Sequence, residues 1–146
     1  MDKNDLKILS LLHENSRMSI TEIAKHVDLS RPSISERVEK LLSEKIIKKF
    51  SVQIDQQKLN KNILCFIEVS NLKKPFDEVE QTILTSTNVI DLYGVTGRSN
   101  FVAKAAFTTV AEMTGFLETL MSYADVETKV ILSELRYDKI NFDLKK

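Results

Sequence analysis

Glycine is scarce in this chain: there are three in 146 residues, alongside two prolines, one cysteine and no tryptophan. Each shortage excludes something. The single cysteine, Cys65, rules out an internal disulfide and fits a cytoplasmic address. It sits in the apolar run Ile63-Leu-Cys-Phe-Ile67, where a buried structural thiol is the ordinary outcome. That run is the longest of its kind and falls far short of the roughly 18 to 20 residues a spanning helix needs. The N-terminus, MDKNDLKILS, lacks the basic start and small-residue cleavage site of a signal peptide. Histidine stops at His26, after His13, and both fall on helical segments as surface or half-buried residues. There is no Ser-His-Asp arrangement, no Walker-type glycine loop and no metal-ligand cluster, so no catalytic residue, metal or cofactor is expected. Glu68 and Glu134 lie on strand segments, where carboxylates are usually solvated or paired.

What remains is globular in composition, 42% hydrophobic and 29% charged. The formal net charge is zero, but it is unevenly spread. Residues 1–62 hold twelve Lys+Arg against nine Asp+Glu, and residues 63–146 hold nine against twelve. The asymmetry fits a mildly basic module joined to a mildly acidic one. We divide the chain there, into domains 1–62 and 63–146.

The first domain reads as three helices and a wing. Asp2 begins a helix with Asp5 in its first turn and Leu6, Ile8, Leu9 and Leu12 at helical spacing. Ser19-Ile-Thr-Glu22 is a capping box ahead of the stripe Ile20, Ile23, Ala24, Val27. After Asp28-Leu-Ser30, a third helix starts with Ser30 as cap and Pro32 in the first turn; Ser33-x-x-Glu36 offers an alternative box one turn deeper. Its buried stripe is Ile34, Val38, Leu41 and Leu42. Two helices across a three-residue turn make a helix-turn-helix, whose second helix reads the major groove of duplex DNA. Arginine can grip guanine with two hydrogen bonds, and serine can bond a base or a phosphate. The DNA-binding candidates are Thr21, Arg31, Ser33, Ser35, Arg37 and Lys40. The partial alternation of IIKKFSVQI, residues 46–54, predicts a strand, the wing, with Lys48 and Lys49 exposed towards phosphates. A three-helix packing unit with a solvated polar face fits the same pattern.

The second domain alternates strand and helix. Strands are expected over residues 63–70, 89–93, 101–107 and 126–135. Helices are expected around Phe76, Val79 and Ile83, and after the box Thr109-x-x-Glu112, with Val110, Met113, Phe116, Leu117, Leu120 and Met121 on one stripe. The order βαββαβ is ferredoxin-like, so the fold class is α+β. Its helices cover one sheet face, and the apolar residues on the other predict packing against a second copy. Two of the three glycines, Gly94 and Gly97, fall in YGVTGRSNF between the second and third strands. A tight strand connection accounts for them; so does a small-molecule site.

A winged helix-turn-helix followed by βαββαβ resembles the Lrp/AsnC family of transcriptional regulators. The resemblance rests on Asp5-Leu-Lys-Ile-Leu9, Ser19-Ile-Thr-Glu-Ile-Ala24, Leu29-Ser30, Val38, Leu41 and Ile46-Ile47, with Arg37 at the family's recognition-helix arginine. It continues in Gly94-Val-Thr-Gly97 and residues 128–132. It implies a DNA-binding first domain and a second (RAM-type) domain that forms a homodimer, assembles dimers into tetramers or octamers, and often binds an amino acid. Carried over residue by residue, the effector candidates are Thr96, Gly97, Arg98, Ser99 and Asn100. Lys45, Asn60 and Asp125 stand where the family commonly has glycine, and Asn100 where it has aspartate. Asn100 can still accept from an ammonium through its amide carbonyl but brings no negative charge, which leaves weak amino-acid binding, another ligand, or none. A ligand-independent, DNA-wrapping architectural protein and a siroheme decarboxylase-like enzyme are the alternatives, the latter disfavoured by the missing histidines.

Overall fold

The structure is a computed structural model describing residues 1–133. Two compact units divide between Gln53 and Ile54. Residues 54–62 thus group with the second unit, although the charge asymmetry put the divide after residue 62.

In the first unit, α1 (Lys3–Glu14), α2 (Ile20–Ile23) and α3 (Arg31–Ser43) follow in order. The Asp2 carboxylate accepts from the Asn4 and Asp5 N–H groups at 2.8 and 2.9 Å, and Asp5 accepts in return from the Asp2 N–H at 2.7 Å. These bonds satisfy donors that a helix start leaves unpaired. Ser19 and Glu22 form the same reciprocal box on α2, as their spacing predicts. Ser30, not Ser33, caps α3. The α2 helix is shorter than its stripe suggests. The Lys25 and His26 N–H groups bond to carbonyls three residues back, at Glu22 and Ile23, a tighter turn that ends the α-helix yet still buries Val27.

Ile8, Leu12, Ile23, Val27, Ile34 and Leu41 form the core of this unit. Leu42, expected on the stripe, is exposed, because one step of about 100° past Leu41 turns it to the stripe's edge. Lys45 closes α3 at φ 56°, and both the Ile46 and Ile47 N–H groups bond to the Leu41 carbonyl. A left-handed residue after a helix is one that glycine adopts at least cost. The wing strand expected over 46–54 is not formed: residues 46–55 carry neither helix nor strand. Alternation supplies an apolar face, but a strand also needs a neighbouring ladder of donors and acceptors. The first unit holds no other strand among the described residues.

The second unit contains a 3₁₀ turn (Gln57–Leu59), then β1 (Ile63–Ser70), α4 (Phe76–Leu84), β2 (Val89–Gly94), β3 (Phe101–Phe107), α5 (Val110–Met121) and β4 (Asp125–Val130). The sheet order is β2-β3-β1-β4 with every neighbouring pair antiparallel, the expected ferredoxin-like arrangement. Register decides the faces: Cys65 lies opposite Ala105 and Val130, Ile67 opposite Ala103 and Thr128. Cys65, Ile67, Ala103 and Ala105, with Val69, Phe101 and Phe107, pack against Val79 and Ile83 of α4 and Leu120 of α5. Burial pushes the Cys65 thiol's pKa up, which keeps it protonated and unreactive. Thr109 caps α5, but Glu112 returns its bond to the Thr108 N–H, one residue before the cap. Val110 and Met121, placed on the apolar stripe by spacing, are exposed at the two ends of that helix. The fourth strand stops at Val130 instead of running on to 135, although the Ile131 N–H still reaches the Leu64 carbonyl at 2.8 Å. Glu134 and Leu135 lie outside the described residues.

The opposite sheet face carries Leu64, Phe66, Tyr93, Val102 and Lys104. Phe66 is 40% exposed and Tyr93 56%, so this is an apolar surface with only part of its area covered.

Candidate functional site

Two places gather the residues that sequence reading singled out. The first is α3. Arg31 stands at its first position and is exposed, as are Pro32, Glu36, Glu39 and Lys40. Ser33 and Ser35 are half-buried, and the Ser33 hydroxyl lies 2.9 Å from that of Ser30, within the cap. Lys40 lies 3.8 Å from Glu44, one turn on. Thr21 is exposed on α2. Lys48 and Lys49 are exposed in the segment that lacks a strand, bordering a hollow of about 1120 Å³ with His13, Glu14 and Phe50.

Arg37 is different from the rest. Its Nη1 donates to Asp5 Oδ1 at 2.6 Å and to Asp2 Oδ2 at 2.7 Å, which turns the guanidinium towards the start of α1. Those two carboxylates raise the Arg37 pKa further above its ordinary value. Asp2 is held below the usual carboxylate range, first by the Asp5 backbone N–H and then by Arg37. The residue expected to grip a base thus has one guanidinium nitrogen, Nη1, engaged within its own domain. Helical spacing explains the engagement, since Arg37 lies on the flank between the buried stripe and the solvent-facing Glu36 and Lys40. The carboxylates that would draw it there are distant in sequence and could not be paired with it by pattern alone.

The second place is the β2–β3 loop. Gly94 ends β2, while Gly97 takes φ 110°, so only the second glycine is required by the backbone. The loop is closed by the Val95 N–H donating to the Asn100 carbonyl at 3.0 Å, and is tied to β1 by the Asn100 N–H donating to the Val69 carbonyl at 2.8 Å. The Ser99 hydroxyl donates to Glu68 Oε2 at 3.1 Å. Lys129 of β4 pairs with Glu68 Oε1 and lies 3.4 Å from Glu127 Oε1. Of the five loop candidates, Arg98 and Ser99 line a hollow of about 580 Å³; Thr96, Gly97 and Asn100 do not. Its other walls include Glu68, Ser70, Glu127 and Lys129. Lys129 and then Ser99 hold the Glu68 carboxyl below its usual range, while Glu68 raises Lys129. Sequence reading does not place Glu68 and Lys129 in a site. The alternation of β1 puts Glu68 on the face of Leu64 and Phe66, but joining it to Lys129 requires the β1–β4 register.

Among the described residues no group of three or more His, Cys, Asp or Glu is placed to hold a metal. No helix among them is long and apolar enough to cross a membrane.

Residues 1–48 match the winged helix-turn-helix DNA-binding family, and residues 64–140 match the Lrp/AsnC ligand binding domain. The chain belongs to the Lrp/AsnC family of transcriptional regulators. Among its relatives is the HTH-type transcriptional regulator LrpC of Bacillus subtilis, 30% identical over 92% of this chain and 94% of that protein. The regulatory protein AsnC of Haemophilus influenzae is 32% identical over 86% of this chain and 84% of its own length. The solved structure of LrpC superposes with a TM-score of 0.88, covering 93% of this chain and 97% of that one. A transcriptional regulator of Neisseria meningitidis, solved in complex with L-methionine, gives a TM-score of 0.84 at 26% identity, over 94% of this chain and 93% of that one. For this Lrp/AsnC chain the helix-turn-helix and the four-stranded antiparallel sheet are therefore the family's two modules.

Proposed function

We propose that this Lrp/AsnC chain reads duplex DNA with α3 and self-associates through the open face of its second unit, binding a small effector beside the β2–β3 loop. The observation that carries the DNA reading is α3 itself: a capped helix that follows a tight turn and presents Arg31 and Lys40 to solvent at its outer edge. Base reading then falls to Arg31 and the partly accessible Ser33 and Ser35, with Thr21, Lys40, Lys48 and Lys49 near phosphates. Arg37 acts as a positioning residue that fastens α3 to α1. A two-fold dimer presents two copies of α3 and requires a palindromic operator; tetramers or octamers extend the same contacts.

The effector reading is supported by the hollow at the loop and by the methionine complex of the Neisseria regulator. An effector regulates only if it binds one assembly or DNA-competent state better than another. Enzymatic activity is no part of this reading, since the relatives are named as regulators. Footprinting on DNA from the gene's own locus, with and without amino acids, is the test. A compact protected site that shifts with an amino acid supports the reading; protection of long DNA stretches indifferent to every amino acid replaces it with a wrapping architectural protein. The neutral Asn100 on the loop is what favours keeping that second reading.

A further inference from the structure

The most outward side chain in the first half of α3 is a carboxylate. Ile34, Val38 and Leu41 turn α3 towards the core of its unit. At about 100° per residue, Glu36 stands about 200° from Ile34 and Val38 and about 140° from Leu41, so it points away from that core. It is exposed, while Ser33 and Ser35, on either side of it, are half-buried and Arg37 is held by Asp2 and Asp5. Lys40, one turn on, lies 3.8 Å from Glu44, and the Glu36 carboxylate has no hydrogen bond or ion pair among the described residues. No other acidic residue falls in the first half of this helix, the half that reaches base edges in a helix-turn-helix.

Duplex DNA carries one negative charge per roughly 1.7 Å of its axis, so a carboxylate brought against it is repelled unless it meets a donor. Resting on the reading of α3 as the DNA-reading helix, we propose that Glu36 is a specificity-determining residue, accepting from the N4 amino group of one cytosine in each half-site. An ionised carboxylate can only accept, and the major groove offers it two donors, cytosine N4 and adenine N6. Adenine sets its N7 acceptor beside N6, where it repels the second carboxylate oxygen; cytosine has only a ring carbon beside N4. Guanine and thymine present acceptors, so Glu36 discriminates against them by repulsion as well as by a missing bond. Arg31 at the head of α3 and Lys40 a turn beyond Glu36 are both exposed and bring positive charge to either side, which offsets the repulsion from the phosphates.

Selection of bound sequences from randomised duplex DNA tests this, with the full-length wild type, E36A and E36Q, whose folding circular dichroism checks. The proposal expects a cytosine in each half-site selected by the wild type and by neither variant. E36Q should select adenine at that position, because a glutamine amide matches adenine N6 and N7 together. On the wild-type sequence E36A should bind about tenfold more weakly, and on unselected DNA no more weakly than the wild type. Wild-type selection without a cytosine that the variants lose overturns the role of Glu36 while the DNA reading stands. So does tighter binding of E36A to every sequence, the mark of a carboxylate that only repels phosphates. Failure of the wild type to enrich any sequence overturns sequence reading by α3, and the role of Glu36 with it.

Discussion

Arg37 Nη1 lies 2.6 Å from Asp5 Oδ1, joining the middle of α3 to the first turn of α1. Asp2, the cap of α1, completes the clamp at 2.7 Å. The pairing makes a mutational outcome that a simple base-reading role does not. Arg37→Ala and Asp5→Ala should each lower the melting temperature, and the double variant should lose less than the sum of the two, because both remove one interaction. Arg37→Lys should rescue only in part, since the shorter lysine side chain does not carry its ammonium to the place between the two carboxylates that Nη1 occupies. Thermal unfolding of the four proteins measures the coupling. If Arg37→Ala abolishes DNA binding at unchanged stability, Arg37 reads DNA directly.

Acid should loosen the helix starts of the first unit. Asp2 is held below its usual range, chiefly by the Asp5 N–H, and Glu22 by the Ser19 N–H. A carboxylate with a lowered folded pKa stabilises fully above its unfolded value, and that contribution disappears as the pH falls through the folded value. The melting temperature should therefore hold from neutral pH to the upper end of the carboxylate range, then decline. In Asp2→Asn the decline should be shallower, because one of the groups that drives it is gone. An equal acid slope in Asp2→Asn would contradict the assignment.

The two loop glycines should respond differently to substitution. Gly97 sits at φ 110°, where a side chain costs on the order of 1 to 3 kcal/mol. Gly94 ends β2 with no atom within 4 Å of an added Cβ, so Gly94→Ala should be nearly neutral. Chemical denaturation of the two variants distinguishes them.

Much of the fold is legible in the sequence, for identifiable reasons. Caps are local: Asp2, Ser19, Ser30 and Thr109 each bond within three residues, so spacing alone locates four helix starts. Strand period places Cys65, Ile67 and Val69 on the buried face, and β3 runs from Phe101 to Phe107 as expected. What the sequence hides is non-local. The wing at 46–54 has the alternation of a strand but no partner to pair with among the described residues of its unit. Arg37 matches a recognition-helix pattern, and its partners lie more than thirty positions away in the chain. Glu68 and Lys129 meet only through the β1–β4 register.

The open sheet face predicts self-association. Phe66 and Tyr93 leave apolar surface exposed beside Leu64 and Val102, which a second copy would cover. Phe66→Asp should shift the protein to monomer in light scattering, with its helix content retained. A variant as oligomeric as the wild type would move the interface elsewhere.

The most direct test of the DNA reading is a fluorescence anisotropy titration of wild-type protein, Arg31→Ala and the double variant Lys48→Ala/Lys49→Ala. DNA from the gene's own locus is the target, over a range of salt. The account predicts salt-sensitive binding by the wild type and a weakening of roughly tenfold or more in Arg31→Ala. In the double lysine variant it predicts a shallower salt dependence, by about one unit of slope for each lysine that meets a phosphate. Folded protein that fails to bind this DNA at low salt, or binds it equally well without Arg31 and both lysines, would contradict it.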